Sequence, residues 1–148
     1  MQNVTAYRQA KATGEIVSIA DACLGGLRGR SALLVGPAKE RQPFSHLLQQ
    51  AGMKYLYEED TPLRLSAILP HVQLLISVPA PEPPVPLLKA ASIASGCIGR
   101  RAPLLIFDLS ESTPSVEELV GLLPPVCLYT PEDLRLIFSG IFKASPLY

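Results

Sequence analysis

The sequence predicts an α/β fold: a doubly wound parallel sheet of about five strands with an N-terminal helical lead-in. Two observations carry this prediction. Short apolar runs, such as SALLV at Ser31–Val35 and LLIFDL at 104–109, are typical of strands buried on both faces of a sheet. These runs alternate with helical patterns every ~20–30 residues, as right-handed βαβ crossovers require.

The individual elements follow from hydrophobic periodicity and from the positions of Gly and Pro. Apolar residues at 16, 19, 20, 23, 24 and 27 recur at helical spacing, and Gly14 is expected to separate this helix from a first one over 4–12. Further helices are predicted over 44–51, 63–69, 85–98, 116–122 and 132–138, and strands over 31–35, 54–57, 72–78, 104–109 and 126–129. Thr130 and Pro131 are a typical start for the last helix.

The composition limits the class of protein. Apolar residues make up 48% of the 148 residues and charged residues 18%, which argues against disorder. Thirteen basic residues balance thirteen acidic ones, so no overall field attracts the chain to nucleic acid or to an anionic membrane. No apolar run reaches the ~18 residues of a membrane span, and the N-terminus has no signal-peptide pattern. We therefore expect a cytoplasmic protein with no membrane partner.

The three cysteines do not predict a metal site. Cys23, Cys97 and Cys127 are far apart and form no C-x-x-C or His/Cys ligand spacing. Each has apolar neighbours in the sequence, so each is predicted to be a buried small hydrophobic residue.

The turn after the first predicted strand is the first candidate site. Ligands of such sheets bind beyond the carboxyl ends of the strands, and a dinucleotide fingerprint there would read G-x-G-x-x-G. Here Gly36 is present, Ala38 and Arg41 replace the other two glycines, and Pro43 is expected to delay the helix to 40–42. Lys39 and Arg41 are either direct phosphate ligands or solvated loop charges.

Other candidates lie at the ends of later strands. Glu58, Glu59 and Asp60 follow the second strand, where an acid binds the ribose of NAD, although an acidic solvated turn is an equal alternative. Ser77 ends the third strand and Asp108 the fourth; both would face a ligand or simply cap the strand. His46 and His71 have no catalytic partner in the sequence and are predicted to be surface residues.

Proline is concentrated late in the chain. Eleven of the fifteen prolines lie at or beyond residue 79, five of them in positions 79–86. This stretch follows the third strand and precedes a helix, so it is predicted to be a stiff crossover loop. Such a loop lines a site but has few N–H donors.

Six segments, in one order, resemble the nucleotide-binding domain of glutamyl-tRNA reductase. They are AYRQAK at 6–11, IVSIA at 16–20, LRGR at 27–30, ISVPAP at 76–81, LIFDL at 105–109 and VCLYTPEDL at 126–134. The sequence departs from the family's G-A-G-x-M-G turn, from its N-R-T after the second strand and from its A-V-P-R-D turn after the fourth.

The resemblance implies a Rossmann-like fold and a division of the chain: a lead-in at 1–27, a nucleotide-binding domain at 28–130 and the start of a C-terminal helix at 131–148. It implies NAD or NADP as cofactor; the binding residues expected from the altered fingerprint and from the strand ends are Gly36, Ala38, Lys39, Arg41, Ser77 and Asp108. The family reduces a glutamyl thioester to glutamate-1-semialdehyde in porphyrin (tetrapyrrole) biosynthesis. Its catalytic cysteine lies in an N-terminal domain that this sequence does not match, so no catalytic residue is assigned here.

The resemblance also bears on partners. Glutamyl-tRNA would be reached only through that other domain, and a homodimer is an open alternative. A second hypothesis is that the same sheet has lost cofactor binding and serves a structural or partner-binding role.

Overall fold

The computed structural model describes residues 2–80, 87–111 and 113–144 of the chain, with side chains from 12 to 140 within those ranges. The five helices are α1 (Gln2–Leu24), α2 (Ala38–Gln50), α3 (Leu65–Ile68), α4 (Ala90–Gly96) and α5 (Pro131–Ala144). The five strands are β1 (Ser31–Val35), β2 (Tyr55–Glu59), β3 (Leu74–Ser77), β4 (Leu104–Asp108) and β5 (Val126–Tyr129). In these ranges, no helix is both long enough and apolar enough to cross a membrane.

The strands form one parallel sheet in the order β2-β1-β3-β4-β5. The chain moves to one side of β1 for β2 and to the other side for β3, so the winding direction reverses between β1 and β3. The predicted doubly wound, Rossmann-like α/β fold is therefore confirmed. This reversal creates the crevice at the carboxyl edge where ligands of such sheets bind.

Two apolar layers cover the sheet. α1, α2 and α5 lie on one face, where Ile16, Ala20, Phe44 and Leu48 pack on inward-facing strand residues. On the other face the helical turns at 62–71, α4 and the 3-10 helix Glu118–Leu122 pack on alternate residues of the same strands. The central strands β1, β3 and β4 are buried at every position, which explains their continuous apolar sequences.

The predicted break at Gly14 is wrong, because α1 is continuous. A glycine in a helix interior costs only about 1 kcal/mol relative to alanine. Ile16, Ala20 and Leu24 are buried in the core and hold the helix in place.

The predicted late start of α2 is also wrong. The helix begins at Ala38 with Pro37 as its N-cap residue, and the backbone N–H groups of Glu40 and Arg41 donate to the Pro37 carbonyl. Pro43 lies inside the helix and is exposed. It removes one helical hydrogen bond, and burial of Phe44 and Leu48 offsets that loss.

The remaining differences concern short segments. The first and last strands match their predictions, whereas β2 begins at Tyr55 and β3 spans only Leu74–Ser77. The segment predicted as one helix over 63–69 consists of α3 between two 3-10 turns, and the predicted 116–122 helix is the 3-10 helix Glu118–Leu122. The predicted 85–98 helix is limited to Ala90–Gly96, and residues 81–86 of the proline-rich loop lie outside the described residues.

The cysteine prediction holds at one position of three. Cys97 is buried, whereas Cys23 and Cys127 are exposed. Cys23 lies near the end of α1 with its Sγ 3.5 Å from Tyr129 Oη, and Cys127 is on β5 at the edge of the sheet, so apolar sequence neighbours did not indicate burial at either place.

Candidate functional site

Gly36 forms a turn that only glycine fits. Its φ is +130°, and a Cβ built on it would lie 2.5 Å from Val78 Cγ2 and 3.2 Å from the Val78 carbonyl oxygen. Its N–H donates to the Glu59 carbonyl at 2.9 Å. The turn after β1 thus lies directly against the residues that follow β3, at the point where the winding reverses.

The first turn of α2 faces solvent beside this turn. Ala38 and Lys39 are exposed. Their N–H groups have no acceptor within the helix, because helical bonding begins with the N–H groups of Glu40 and Arg41. Such N–H groups at a helix start favour an anion. Lys39 therefore stands where the altered fingerprint predicted either a phosphate ligand or a solvated loop charge, and the phosphate role stays a prediction.

Arg41 is not oriented toward the turn. Its side chain is only 10% exposed and lies beside two carboxylates at the end of β2. Nη1 donates to Asp60 Oδ1 at 3.1 Å, and Nε lies 3.4 Å from Glu58 Oε1 without hydrogen-bond geometry. Glu59, on the other face of β2, lies 3.8 Å from Arg64. The acids predicted to be a solvated turn or a ribose site are partly neutralised by arginines.

Ser77 and Asp108 belong to one buried hydrogen-bond network. Asp108 accepts four hydrogen bonds, from the backbone N–H groups of Ser110, Ser115 and Val116 and from the Ser115 hydroxyl at 2.7 Å. Ser115 Oγ also lies 2.7 Å from Ser77 Oγ. All three side chains are almost fully buried. The network holds the loop after β4 over the ends of β3 and β4.

A cavity of about 400 Å³ opens at the same edge of the sheet. Its lining is mostly apolar, with Glu40, Asp108, Glu111 and Arg135 as its charged residues. The apolar part of the lining comes from α1, α2, the segment after β3, the segment after β4 and α5: Ala12, Ile16, Pro43, Phe44, Pro79, Leu109, Pro131, Leu134 and Phe138. A second cavity of about 330 Å³ lies beside α5 and shares Asp108, Pro131 and Arg135 with the first.

The predicted site residues fall into three groups. Gly36, Ala38 and Lys39 form the exposed turn and helix start; Arg41 is bound to carboxylates; Ser77 and Asp108 are in the buried network. Of the six, only Asp108 lines the cavity.

Several residues at this edge were not predicted. Sequence reasoning missed Ser115, whose only signal is its place shortly after a strand-end aspartate, and Glu40, which lies inside the altered fingerprint. It also missed Arg135, which carries no signal. His46 and His71 are exposed, as predicted. The described residues contain no group of three His, Cys, Asp or Glu side chains that could hold a metal ion.

Comparison with solved structures supports the fold. The chain is similar to glutamyl-tRNA reductase from Methanopyrus kandleri, with a TM-score of 0.70 and 22% identity over 88% of this chain and 36% of that one. It is also similar to the methylenetetrahydrofolate dehydrogenase/cyclohydrolase from Campylobacter jejuni, with a TM-score of 0.61 and 16% identity over 86% and 45% of the two chains. A third similar structure is the Trypanosoma brucei methylenetetrahydrofolate dehydrogenase-cyclohydrolase complexed with NADP cofactor and inhibitor, with a TM-score of 0.53 and 16% identity over 90% and 50%.

The likeness concerns the fold alone. The chain spans half or less of the length of each of these three structures. No protein-family model matches the chain, and no curated protein sequence does.

Proposed function

We propose that this chain is the nicotinamide-dinucleotide-binding domain of a protein similar to glutamyl-tRNA reductase. In such a protein it would hold the cofactor for hydride transfer to a glutamyl thioester and would not be catalytic alone. The observation that carries the proposal is the 400 Å³ cavity at the carboxyl edge, between the first turns of α2 and the segments after β3 and β4. The general rule for doubly wound sheets places a ligand in this crevice.

The cavity suits the nicotinamide end of such a cofactor. Phe44, Pro79 and Leu134 offer apolar surface to a planar ring. The carboxylates of Glu40 and Glu111 suit the positive charge of an oxidised nicotinamide. When bound, the cofactor would supply the hydride; the residues of this chain would orient its ring and exclude water.

Phosphates would be bound nearer to the turn. Gly36 lets the backbone approach closely, and the N–H groups of Ala38 and Lys39 are free of helical acceptors. The side chain of Lys39 adds a positive charge there. The adenosine end fits less well, because Arg41 already engages Glu58 and Asp60. Three carboxylates near two arginines leave this end net negative, so we expect NADH to bind at least as well as NADPH.

Ligand titration of the folded chain tests the proposal. At ten times its Kd, NADH should add about 1.4 kcal/mol of stability. For a domain of this size, that corresponds to a rise in Tm of about 3–6 °C. Calorimetric titration gives the Kd directly. Ala12→Phe would place an aromatic ring in the cavity and should reduce the rise, whereas Ala67→Phe, at an exposed position outside the cavity lining, should retain it.

A degenerate module without cofactor is the second candidate. The observation that favours it is Arg41, a large ion-paired side chain in place of the third fingerprint glycine. Absence of any shift in Tm with NADH and with NADPH, in a sample shown to be folded, would decide for this candidate and against cofactor binding.

A further inference from the structure

Arg41 is an unusual residue for the position it holds. It lies in α2, yet its guanidinium is nine-tenths buried against the end of β2. Two carboxylates hold it there: Asp60 by a 3.1 Å hydrogen bond and Glu58 at 3.4 Å. Glu58 also accepts from Ser45 Oγ at 3.3 Å. The Nε atom is buried and has no hydrogen-bond acceptor, so the two carboxylates do not satisfy every hydrogen-bond donor of the Arg41 guanidinium.

This cluster stands where the ribose of an adenosine would be bound. Glu59, between the two acids, accepts from the Gly36 N–H, so the end of β2 lies directly beside the turn after β1. In doubly wound sheets an acid at this place accepts hydrogen bonds from ribose hydroxyls. Here the carboxylates of Glu58 and Asp60 both engage the guanidinium. An incoming ribose would have to displace Arg41 and leave a buried charge with fewer partners.

The part of the carboxyl edge that forms the cavity shares no side chain with this ion-pair cluster. None of Arg41, Glu58 and Asp60 lines the 400 Å³ cavity, which is formed by other side chains of α2 together with α1, α5 and the segments after β3 and β4. A ligand that fills the cavity therefore touches none of the three side chains of the ion pairs.

We propose that Arg41 is an internal occupant of the adenosine-ribose subsite. The adenosine half of a dinucleotide then adds nothing to affinity, and the ligand unit that the chain binds is a nicotinamide ribose phosphate. This inference rests on the proposed function, because it assigns the two halves of the same site. It makes Arg41 a specificity-determining residue.

The test compares NADH with reduced nicotinamide mononucleotide by calorimetric titration of the full chain. For the unmodified chain, the two dissociation constants should differ by less than fivefold. Arg41→Ala keeps the helix and frees Glu58 and Asp60, so NADH should bind at least tenfold more tightly while the mononucleotide is unchanged. Arg64→Ala removes the neighbouring arginine, which is 67% exposed and forms an ion pair with Glu59; it should change neither constant.

Different results separate the two proposals. NADH binding at least fivefold more tightly than the mononucleotide to the unmodified chain would overturn the role of Arg41 and leave the proposed function intact. An unchanged ratio of the two dissociation constants in Arg41→Ala would likewise overturn the role of Arg41 and leave the proposed function intact. Binding of neither ligand to the unmodified chain and to Arg41→Ala, with native circular dichroism, would overturn the proposed function itself. Should Arg41→Ala fail to fold, the ratio for the unmodified chain decides alone.

Discussion

Gly36→Ala should destabilise the domain by about 3–4 kcal/mol. A non-glycine residue at φ +130° costs on the order of 1–3 kcal/mol in backbone strain. The new Cβ would also lie 2.5 Å from Val78 Cγ2, and relieving such a contact in a packed region costs about 1–3 kcal/mol more. At about 2–4 °C per kcal/mol, the expected loss in Tm is about 10 °C. Thermal and urea unfolding followed by circular dichroism measure both quantities.

The control is Gly99→Ala. Gly99 also has positive φ, +74°, but a Cβ there meets nothing within 4 Å. It should lose only about 1 kcal/mol, so the difference between the two variants combines the contact with Val78 and the more strained φ of Gly36. In Gly36→Ala/Val78→Ala the Cγ2 atom is absent, and a coupling of about 1–2 kcal/mol is expected. Equal losses for the two single glycine variants would refute the reasoning that packing against the end of β3 demands glycine.

Four further results are expected. Asp108→Asn should cost about 3 kcal/mol in urea unfolding, because the amide cannot accept all four hydrogen bonds; an unchanged midpoint would contradict the network. Pro43→Ala should raise stability by about 1–3 kcal/mol by restoring a helical hydrogen bond, and a lower Tm would contradict this. An aromatic disulfide reagent should label the two exposed thiols quickly and Cys97 only on unfolding, since burial shields the Cys97 thiol; three equally fast thiols would contradict it. The hydrogen bond with Cys23 and, to a smaller extent, burial raise the pKa of Tyr129 from 10.0 to about 12. The stability that this raised pKa contributes is therefore complete below pH 10 and is lost as the pH rises toward 12. Tyrosinate absorbance should show a tyrosine that titrates late, and that tyrosine should titrate earlier in Cys23→Ala.

Hydrophobic patterns were sufficient to predict the sheet. β1 matches its predicted bounds and β4 differs by one residue, because buried parallel strands require apolar runs whose ends are marked by Gly, Pro or a polar residue. β5 also matches, although it is a half-buried edge strand. The helices were less predictable where local rules compete with packing. Pro43 locally disfavours a helix, yet α2 includes it because Phe44 and Leu48 bury their side chains on the sheet.

The sequence predicted where the candidate site lies but not which side chains contact each other there. The carboxyl edge follows from topology, and Gly36, Ser77 and Asp108 lie there as expected. Which polar groups bind each other depends on the path of the chain between strands. That Arg41 engages the two acids 17 and 19 residues further on, and that Ser115 links Ser77 to Asp108, are long-range contacts with no local pattern.

The Asp108 carboxylate, whose acceptor positions are all used, limits which residues at this edge can change ligand recognition. A carboxylate has about four acceptor positions, and in Asp108 they are used by the loop after β4. It forms part of the cavity wall but has no lone pair left for a ligand. Recognition by charged groups must therefore come from the rim, where Glu40, Glu111 and Arg135 are exposed and contribute little to the core. Substitution of these exposed rim residues can therefore change ligand preference while Asp108, and the fold that depends on its hydrogen bonds, stays constant.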